Sequence, residues 1–133
     1  MQDCIFCKII RKEAPGFIID ENEEVIVFLS YENHPLIVTK KHIPNIYEMD
    51  ELTGAAVMKE AIKISRAVKI GLKCDGVNLV QANDPAGQQD VFHFHLHVKP
   101  RWKGDKVVLS WDSTKNPPKV LEETKNKIIK ALS

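Results

Sequence analysis

The sequence predicts an α+β domain built on a five-stranded antiparallel sheet. Short runs rich in Val, Ile and Phe are separated by turn-forming residues, which is typical of strands. One longer segment, residues 51–72, carries Ala, Val, Met and Ile at helical spacing. Since parallel strands need long crossovers, mostly short connections favour antiparallel pairing. At 133 residues, we expect the whole chain, 1–133, to form a single domain.

A short helix and three strands are predicted before the long helix. Residues 4–12 have the pattern of one or two helical turns, which end before Pro15. The charged segment 20–24 is expected to be the turn of a hairpin. The long helix begins after Asp50, a good N-cap, and stops near Gly71. The three strands are expected at residues 17–19, 25–29 and 36–39.

Two further strands and a final helix are predicted after the long helix. A strand at 77–81 leads into a turn-rich loop at 82–90, and a fifth strand follows at 91–98. The segment Asn116-Pro117-Pro118 opens a C-terminal helix, because proline is favoured in the first helical turn. One stripe of this helix carries Leu121, Ile128 and Leu132.

The fifth strand contains three of the five histidines of the chain. His93, His95 and His97 alternate with apolar residues, so a strand would project all three imidazoles to one face, with neighbours about 7 Å apart. The opposite face would carry Phe92, Phe94, Leu96 and Val98. In a helix, His95 would point away from the other two, so the alternation favours the strand.

The histidine row has three possible explanations. Incidental polar residues on a solvated face are disfavoured, because histidine is uncommon and most of those in this chain are clustered here. Alternate histidines on a strand can instead converge on one zinc ion. Finally, a neutral imidazole can attack phosphorus while its neighbours fix its tautomer and supply protons. The residues alone leave the last two explanations open.

Composition excludes several classes of partner and location. Nineteen basic and eighteen acidic residues leave a net charge of +1, so no nucleic-acid polymer is expected to bind. No apolar run is long enough to span a bilayer, and the N-terminus lacks the basic and apolar segments of a signal peptide. Three cysteines are too few for a disulfide framework, so we expect a cytoplasmic protein without membrane attachment.

Four segments in order resemble the histidine triad (HIT) family. They are Cys4-Ile5-Phe6-Cys7-Lys8-Ile9-Ile10, Val27-Phe28, the stretch from His34 to His42, and His93-Phe94-His95-Leu96-His97 after Ala86-Gly87-Gln88. The resemblance implies a homodimer, paired through the long helix and a sheet edge, that acts on a small nucleotide. The implied substrate is a dinucleoside polyphosphate or a nucleoside phosphoramidate, most simply one based on adenosine.

The resemblance also implies a catalytic role for His95, His97 and His34. His95 matches the nucleophile, which forms a covalent nucleotidyl-histidine that water then resolves. His97 matches the histidine that contacts the phosphoryl oxygens, and His34 one that orients the second ring nitrogen of the nucleophile. A partner that fixes the opposite N–H is expected physically, since the attacking nitrogen must be unprotonated and aimed.

The motif Cys4-x-x-Cys7 has several possible roles. A thioredoxin-like redox pair would follow a strand, and none is predicted before Cys4. The pair can be half of a zinc site, or two small buried residues like Cys74. The resemblance implies that His42 and His93 complete a closed Cys2His2 site with one structural zinc per chain, which would not activate water.

The resemblance places the nucleotide base against apolar residues, although each is an equally good core residue: Ile5, Phe6, Ile9 and Phe28. Ser30 stands where the family has a ribose-binding Asp or Asn. The loop from Ser30 to His34 also looks several residues shorter than is usual in the family.

The loop before the histidines has several candidate phosphate contacts. Either Gln88 or Gln89 is expected to contact the α-phosphate or the bridging oxygen. Asp90 stands where the family has Ser or Thr; an ionised Asp cannot donate, so we expect it only to cap backbone groups. Asn83 is expected to be a left-handed turn residue rather than a phosphate contact.

Two rival functions remain open at this stage. A zinc hydrolase could hold a catalytic ion and its bound water with His93, His95 and either His97 or His34. Alternatively, the chain could be a non-catalytic nucleotide-binding protein, in which the departures at Ser30 and Asp90 have removed turnover.

Overall fold

The structure, a computed structural model, describes residues 3–132. Met1, Gln2 and Ser133 lie outside the described residues. The two ends of the expected domain 1–133, and the first residues of the N-terminal segment in which no signal peptide is expected, therefore lie outside them as well. The helices and strands in chain order are α1 Ile5–Ile10, β1 Ile18–Glu21, β2 Val25–Leu29, β3 Pro35–Thr39, α2 Glu51–Gly71, β4 Gly76–Val80, β5 His95–Arg101 and α3 Pro118–Leu132.

The five strands form one antiparallel sheet in the order β1-β2-β3-β5-β4, which confirms the predicted α+β class. The connection from β3 to β4 carries α2, and β5 then returns between those two strands. In the register, His95 lies opposite Val38 and His97 lies opposite Leu36 on β3. The histidine-bearing strand is therefore an interior strand, supported from both sides.

Both faces of the sheet are covered by helices. Val27, Ile37 and Leu96 face α2 and form one core with its buried residues, which include Val57 and Ile64. The opposite face packs against α1 in a second core formed by Phe6, Ile9, Ile26, Phe28, Leu36 and Val38. Two covered faces explain why β2 and β3 are continuous apolar runs rather than alternating ones.

The long helix begins and ends where its sequence predicts. The side chain of Asp50 accepts hydrogen bonds from the backbone N–H and the hydroxyl of Thr53, at 2.8 and 2.9 Å. This N-cap satisfies backbone donors that the first helical turn leaves free. Helix α2 then runs to Gly71 and buries only the stripe that faces the sheet.

The first hairpin differs from its prediction. Asp20 and Glu21 were expected in the turn, but they are the last residues of β1. Ion pairs hold both carboxylates over the body of the protein: Asp20 contacts Lys63 at 2.7 Å, and Glu21 contacts Lys40 at 2.8 Å. The turn is formed instead by Asn22, whose side chain accepts from the backbone N–H groups of residues 24 and 25.

The C-terminal helix α3 has the predicted apolar stripe, but none of its described residues is buried. Its exposed apolar side chains are Val120, Leu121, Ile128, Ile129 and Leu132. Within residues 3–132, no helix has both the length and the apolar character needed to cross a membrane.

Candidate active site

The strand that carries the histidines starts later than predicted. It begins at His95, not at residue 91, so His93 precedes the strand. The reason lies in β3, which ends at Thr39; upstream of the His95–Val38 pair, β5 has no neighbour on that side. Phe94 instead donates its backbone N–H to the carbonyl of Ile43 at 2.7 Å. The expected apolar face is confirmed for Phe94, Leu96 and Val98, which lie in the α2-facing core, but not for Phe92, which precedes the strand and is about half exposed.

His95 is held in one defined orientation. Its Nδ1 lies 2.8 Å from the backbone carbonyl oxygen of His93, to which it donates. A neutral imidazole that donates from Nδ1 carries its lone pair on Nε2. Phe6 packs against the ring edge to face, with the ring centroids 5.0 Å apart. The carbonyl of His93, rather than the expected His34, therefore orients the predicted nucleophile.

His34 is the partner of His97 instead. The Nε2 of His34 lies 2.8 Å from the Nδ1 of His97, and the hydroxyl of Ser30 lies 3.4 Å from the Nδ1 of His34. Burial, together with the neighbouring His95, lowers the pKa of His97 to about 4. Burial also lowers the pKa of His34. Two neutral imidazoles thus form a hydrogen-bonded pair beside His95, whose ring centroid is 5.0 Å from that of His97.

A cleft of about 390 Å³ opens in front of His95 and His97. Each residue that the resemblance assigned to the base lines it: Ile5, Phe6, Ile9 and Phe28. Ser30 and Asp90 line it too. The sequence analysis missed Phe17 and Tyr31, which also line the cleft and are largely exposed. Tyr31 had a signal in the sequence, an aromatic side chain in a loop, where a core position is not expected; Phe17 had none, because it was assigned to the first predicted strand.

Asp90 lies at the edge of the cleft, beside the predicted nucleophile. One carboxylate oxygen, Oδ1, is 3.6 Å from the Nε2 of His95. The same oxygen accepts the backbone N–H of Val91 at 2.8 Å, which is the backbone cap that the sequence predicted. The side chain is otherwise open to solvent, at 80% exposure.

The two glutamines of the loop have different surroundings. Gln89 is buried: its Oε1 accepts from the backbone N–H of Asp84 at 2.8 Å, and its Nε2 donates to the carbonyls of Pro44 and Val91. Gln88 is exposed, and its backbone is left-handed, with φ of 71°. Neither glutamine is among the described residues that line the cleft.

Asn83 holds two loops together. Its Oδ1 accepts the backbone N–H of Ile46 at 2.8 Å, and its amide exchanges hydrogen bonds with the side chain of Gln81. The residues of this loop with positive φ are Asp84, at 67°, and Gln88, at 71°, so the conformation predicted for Asn83 was wrong. The side chain of Asn83 is thus occupied by contacts within the protein.

The four residues expected to bind zinc come together on the α1 side of the sheet. The ligand atoms of Cys4, Cys7, His42 and His93 all lie within 4.8 Å of one another. Cys7 Sγ is 3.2 Å from His42 Nδ1, and Cys4 Sγ is 3.4 Å from His93 Nδ1. Tetrahedral zinc places sulfur and nitrogen ligands about 3.6 Å apart, so the residues fit this ion.

The second ring nitrogen of His93 supports metal binding. Its Nε2 donates to the backbone carbonyl of Thr39 at 2.7 Å, which leaves the lone pair of Nδ1 directed at the two thiols. The side chain of His93 therefore contacts the cysteines, while its backbone carbonyl accepts the hydrogen bond from His95. A catalytic ion shared by His93, His95 and His97 would need the first of these rings to leave the cluster. Within residues 3–132, the Cys2His2 set is the one group of three or more His, Cys, Asp or Glu side chains whose ligand atoms lie close enough to share a metal ion.

Known proteins are similar to this chain in sequence over most of its length. Protein hit of Bacillus subtilis is 32% identical over 99% of this chain and 96% of its own length. Adenosine 5'-monophosphoramidase HNT1 of Saccharomyces cerevisiae is 31% identical over 81% of this chain and 69% of its own.

Solved structures share the fold. SMU.412c from Streptococcus mutans superposes with a TM-score of 0.95 at 31% identity, over 100% of this chain and 87% of its own. A Zn-bound histidine triad family protein from Mycobacterium smegmatis superposes with a TM-score of 0.75 at 33% identity, over 85% of both chains. Residues 11–104 match the HIT domain, and the chain belongs to the HIT domain family.

Proposed function

We propose that this protein hydrolyses or transfers the nucleoside monophosphoryl group of a small adenosine nucleotide, by way of a covalent intermediate on His95. The observation that carries the proposal is the orientation of that ring. Its Nδ1 is engaged by the carbonyl of His93, and its Nε2 lies at a cleft lined by apolar side chains. The name of the yeast relative, an adenosine monophosphoramidase, supports the class of substrate.

The first chemical step forms one bond and breaks another. The lone pair on Nε2 of His95 attacks the α-phosphorus, while the bond from phosphorus to the leaving atom breaks. The leaving atom takes that electron pair and a proton supplied within the triad. A neutral His97 whose Nδ1 accepts from His34 carries its proton on Nε2, where it can donate to the phosphoryl oxygens or to the leaving atom.

The second step reverses the first with water as the nucleophile. Water adds its oxygen to phosphorus, the bond to His95 breaks, and the ring recovers its lone pair. The proton of the water restores the one that the triad gave to the leaving group, so the net reaction is hydrolysis. An acceptor other than water would give transfer.

We propose that the base lies between the apolar walls of the cleft. Phe6 and Phe28 pack edge to face, with ring centroids 5.4 Å apart, and contribute aromatic surface to these walls. Ser30 contributes chiefly through His34, because its hydroxyl also accepts the backbone N–H of Glu32 at 3.1 Å. Gln88 is the better placed of the two glutamines for a phosphate contact, since the side chain of Gln89 is already occupied.

Substitution of the nucleophile tests the reaction. We expect His95→Ala to lower turnover of an adenosine phosphoramidate by at least about a thousandfold, while nucleotide affinity stays within a few fold. In the wild type, an alkaline quench during turnover preserves phosphoramidates, and mass spectrometry should find an adenylyl group on the peptide that contains His95. Near-normal rates for His95→Ala would contradict the proposal, as would nucleotide binding without turnover of any adenylylated compound.

We further propose that the Cys2His2 cluster binds one structural zinc ion per chain. The fit of Cys4, Cys7, His42 and His93 supports this, together with the Zn-bound relative. When bound, the ion would tie α1 to the sheet and fix His93, whose carbonyl orients His95. With all four positions taken by protein ligands, a bound zinc ion would have no open site for substrate or water.

The chain is proposed to be a single-domain protein that acts as a homodimer in a reducing cytoplasm. An exposed apolar stripe on α3 supports the dimer, because contiguous exposed apolar surface marks sites of contact with another protein or a membrane. The superposition with the Streptococcus mutans protein spans all of this chain, α3 included, so the relative keeps its helix in the same place. A second copy of the chain is the partner that we propose for the stripe.

A further inference from the structure

The cleft in front of His95 has an unusual balance of charge for a nucleotide site. Among the described residues that line it, the charged ones are Glu32 and Asp90, and both are acidic. No lysine or arginine of residues 3–132 lines it. A substrate with several phosphates would normally be met by cations that offset its charge. The described residues that line this cleft include no such lysine or arginine.

The nearest basic residue on the same strand is Lys99, and it lies beyond the histidines. Lys99 lines a different groove, together with His34 and the C-terminal half of α2. Its charge contributes to lowering the pKa of His34 and of His97. Lys99 is therefore not among the described residues that line the cleft; its groove is shared by Glu32, whose charge it can offset, but not by Asp90.

The position of Asp90 is fixed by its own backbone. The carboxylate accepts the N–H of Val91, and this places it 3.6 Å from the attacking nitrogen of His95. Glu32 belongs to the loop that carries Ser30 and His34. Both carboxylates line the cleft that would hold the substrate, so a leaving group within the cleft lies within range of their charge.

We infer that Asp90, assisted by Glu32, makes the enzyme select substrates whose leaving group carries a positive charge. The inference deepens the proposed function and rests on it. Its substrate class is a nucleoside phosphoramidate or acyl phosphate with a protonated amine on the leaving group; polyphosphate and sulfate leaving groups are disfavoured. The single negative charge of the phosphoryl group is met by the histidine donors, whereas further negative charge would meet only carboxylates.

The chemistry of the step is unchanged by this selection. For a phosphoramidate, the bond between His95 Nε2 and phosphorus forms as the phosphorus–nitrogen bond breaks. The leaving nitrogen takes the electron pair and one proton from the triad. The protonated amine lies further along the leaving group and keeps its proton throughout, so Asp90 acts on charge alone.

Three length-matched substrates test the inference. They are the adenosine phosphoramidates of ethylenediamine, propylamine and β-alanine, whose leaving groups are cationic, neutral and anionic. We expect kcat/KM of the wild type to favour the cationic over the anionic compound by about tenfold. A ratio of about ten is expected when the charge of the leaving group changes from +1 to −1 at about 6 Å from a carboxylate in water. Added salt should reduce the ratio, because the carboxylate is exposed.

The variants compared are Asp90→Asn, Glu32→Gln and Glu23→Gln. We expect Asp90→Asn to remove most of the preference and Glu32→Gln a smaller part. Glu23 is exposed, lies in the turn between β1 and β2, and is absent from the cleft lining, so its variant should keep the wild-type ratio. The ratio between substrates is the readout, so a general change in activity does not affect the comparison.

The affinities of the same compounds for His95→Ala separate this inference from the proposed function. If the wild type turns over no compound, the proposed reaction fails, and the ratio of affinities then decides the question of charge selection. An identical ratio in wild type and Asp90→Asn, in turnover or in binding, would overturn the inference. So would a preference of the wild type for the anionic compound.

Discussion

Gln88 and Gln89 show how two identical neighbours acquire different roles. Gln89 is 6% exposed and makes three hydrogen bonds to backbone groups of three segments of the chain. Gln88 is exposed, and no hydrogen bond of its side chain is found within residues 3–132. The sequence offered both as phosphate contacts, because nothing local distinguishes them.

We predict that Gln89→Ala lowers the free energy of unfolding by about 2 kcal/mol, because it leaves buried backbone groups without partners. Gln88→Ala is the matched control and should change it by less than about 0.5 kcal/mol. Urea denaturation of the two variants checks this. Equal destabilisation by both substitutions would contradict the structural role of Gln89.

Glu60 is a buried carboxyl group that the catalytic proposal does not use. It lies on α2 at 4% exposure, and its Oε2 has no hydrogen-bond partner among the described residues. Burial, followed by the adjacent Asp20, raises the pKa of Glu60 to about 7. Hydrogen bonds to Glu60 and Lys63 lower the pKa of Asp20 to about 2. The pair therefore holds one proton over much of the acidic range.

The sign of the resulting pH dependence follows from the raised pKa of Glu60. A group whose pKa is raised on folding stabilises the protein at low pH, and this contribution is lost as the pH rises from about 4.5 to about 7. The lowered pKa of Asp20 acts only below about pH 4, outside that window. We predict that, as the pH rises from 5 to 8, the free energy of unfolding of Glu60→Gln increases relative to that of the wild type, because only the wild type loses the contribution of a protonated Glu60. Urea midpoints at several pH values check this, and a parallel shift at every pH would contradict it.

At the scale of elements, α1 and the first residues of β5 depend on one another through the cysteine cluster. Helix α1 has only six residues, too few to be stable alone, and Cys4 caps it by accepting the N–H of Cys7 at 3.5 Å. The same sulfur faces His93, just before β5. A bound ion would therefore connect a marginal helix to the residue that orients His95.

We predict that Cys7→Ser lowers both the zinc content and the thermal stability, and reduces kcat by misplacing the carbonyl of His93. Zinc measured by elemental analysis should fall well below one equivalent per chain, and chelation of the wild type should reproduce the loss of stability. Cys74→Ala is the control: Cys74 is buried in the other core, so it should cost about 1 kcal/mol with zinc retained. Wild type that is free of zinc yet equally stable would contradict the proposal.

In the whole molecule, α3 is the helix that buries none of its described side chains, so packing within the chain does not explain its position. A helix of 15 residues with no buried side chain has marginal stability alone in water. Lys119, Lys127 and Lys130 lie on the face opposite the apolar stripe, whereas Lys125 lies beside the stripe, as at the margin of a helix that packs against a partner. The proposed dimer accounts for this.

We predict that the double variant Leu121→Glu, Ile128→Glu weakens the dimer at least tenfold, because it places two charges in the proposed interface. The control exchanges charges on the polar face, Glu123→Lys with Lys127→Glu, and should leave the dimer intact. Light scattering at several concentrations measures the mass. A wild-type monomer at high concentration, or equal dissociation by both double variants, would contradict the dimer.

The class of the fold, most element positions and most residues of the site could be predicted from the sequence. These features have local causes: period-two alternation assigns Leu96 and Val98 to one face and His95 and His97 to the other, and Asp50 caps α2 through its own first turn. The resemblance added the ligand set of the cysteine cluster and the apolar cleft residues, which come together as expected.

The contacts between particular groups could not be predicted, because they depend on how distant segments pack. His93 left the predicted strand because β3 turns away at Thr39, and His34 pairs with His97 because the loop before β3 places it there. Gln89 became structural, and Glu60 met Asp20, through contacts between segments distant in sequence. A local pattern records the face on which a side chain lies, whereas its partner depends on how remote segments pack.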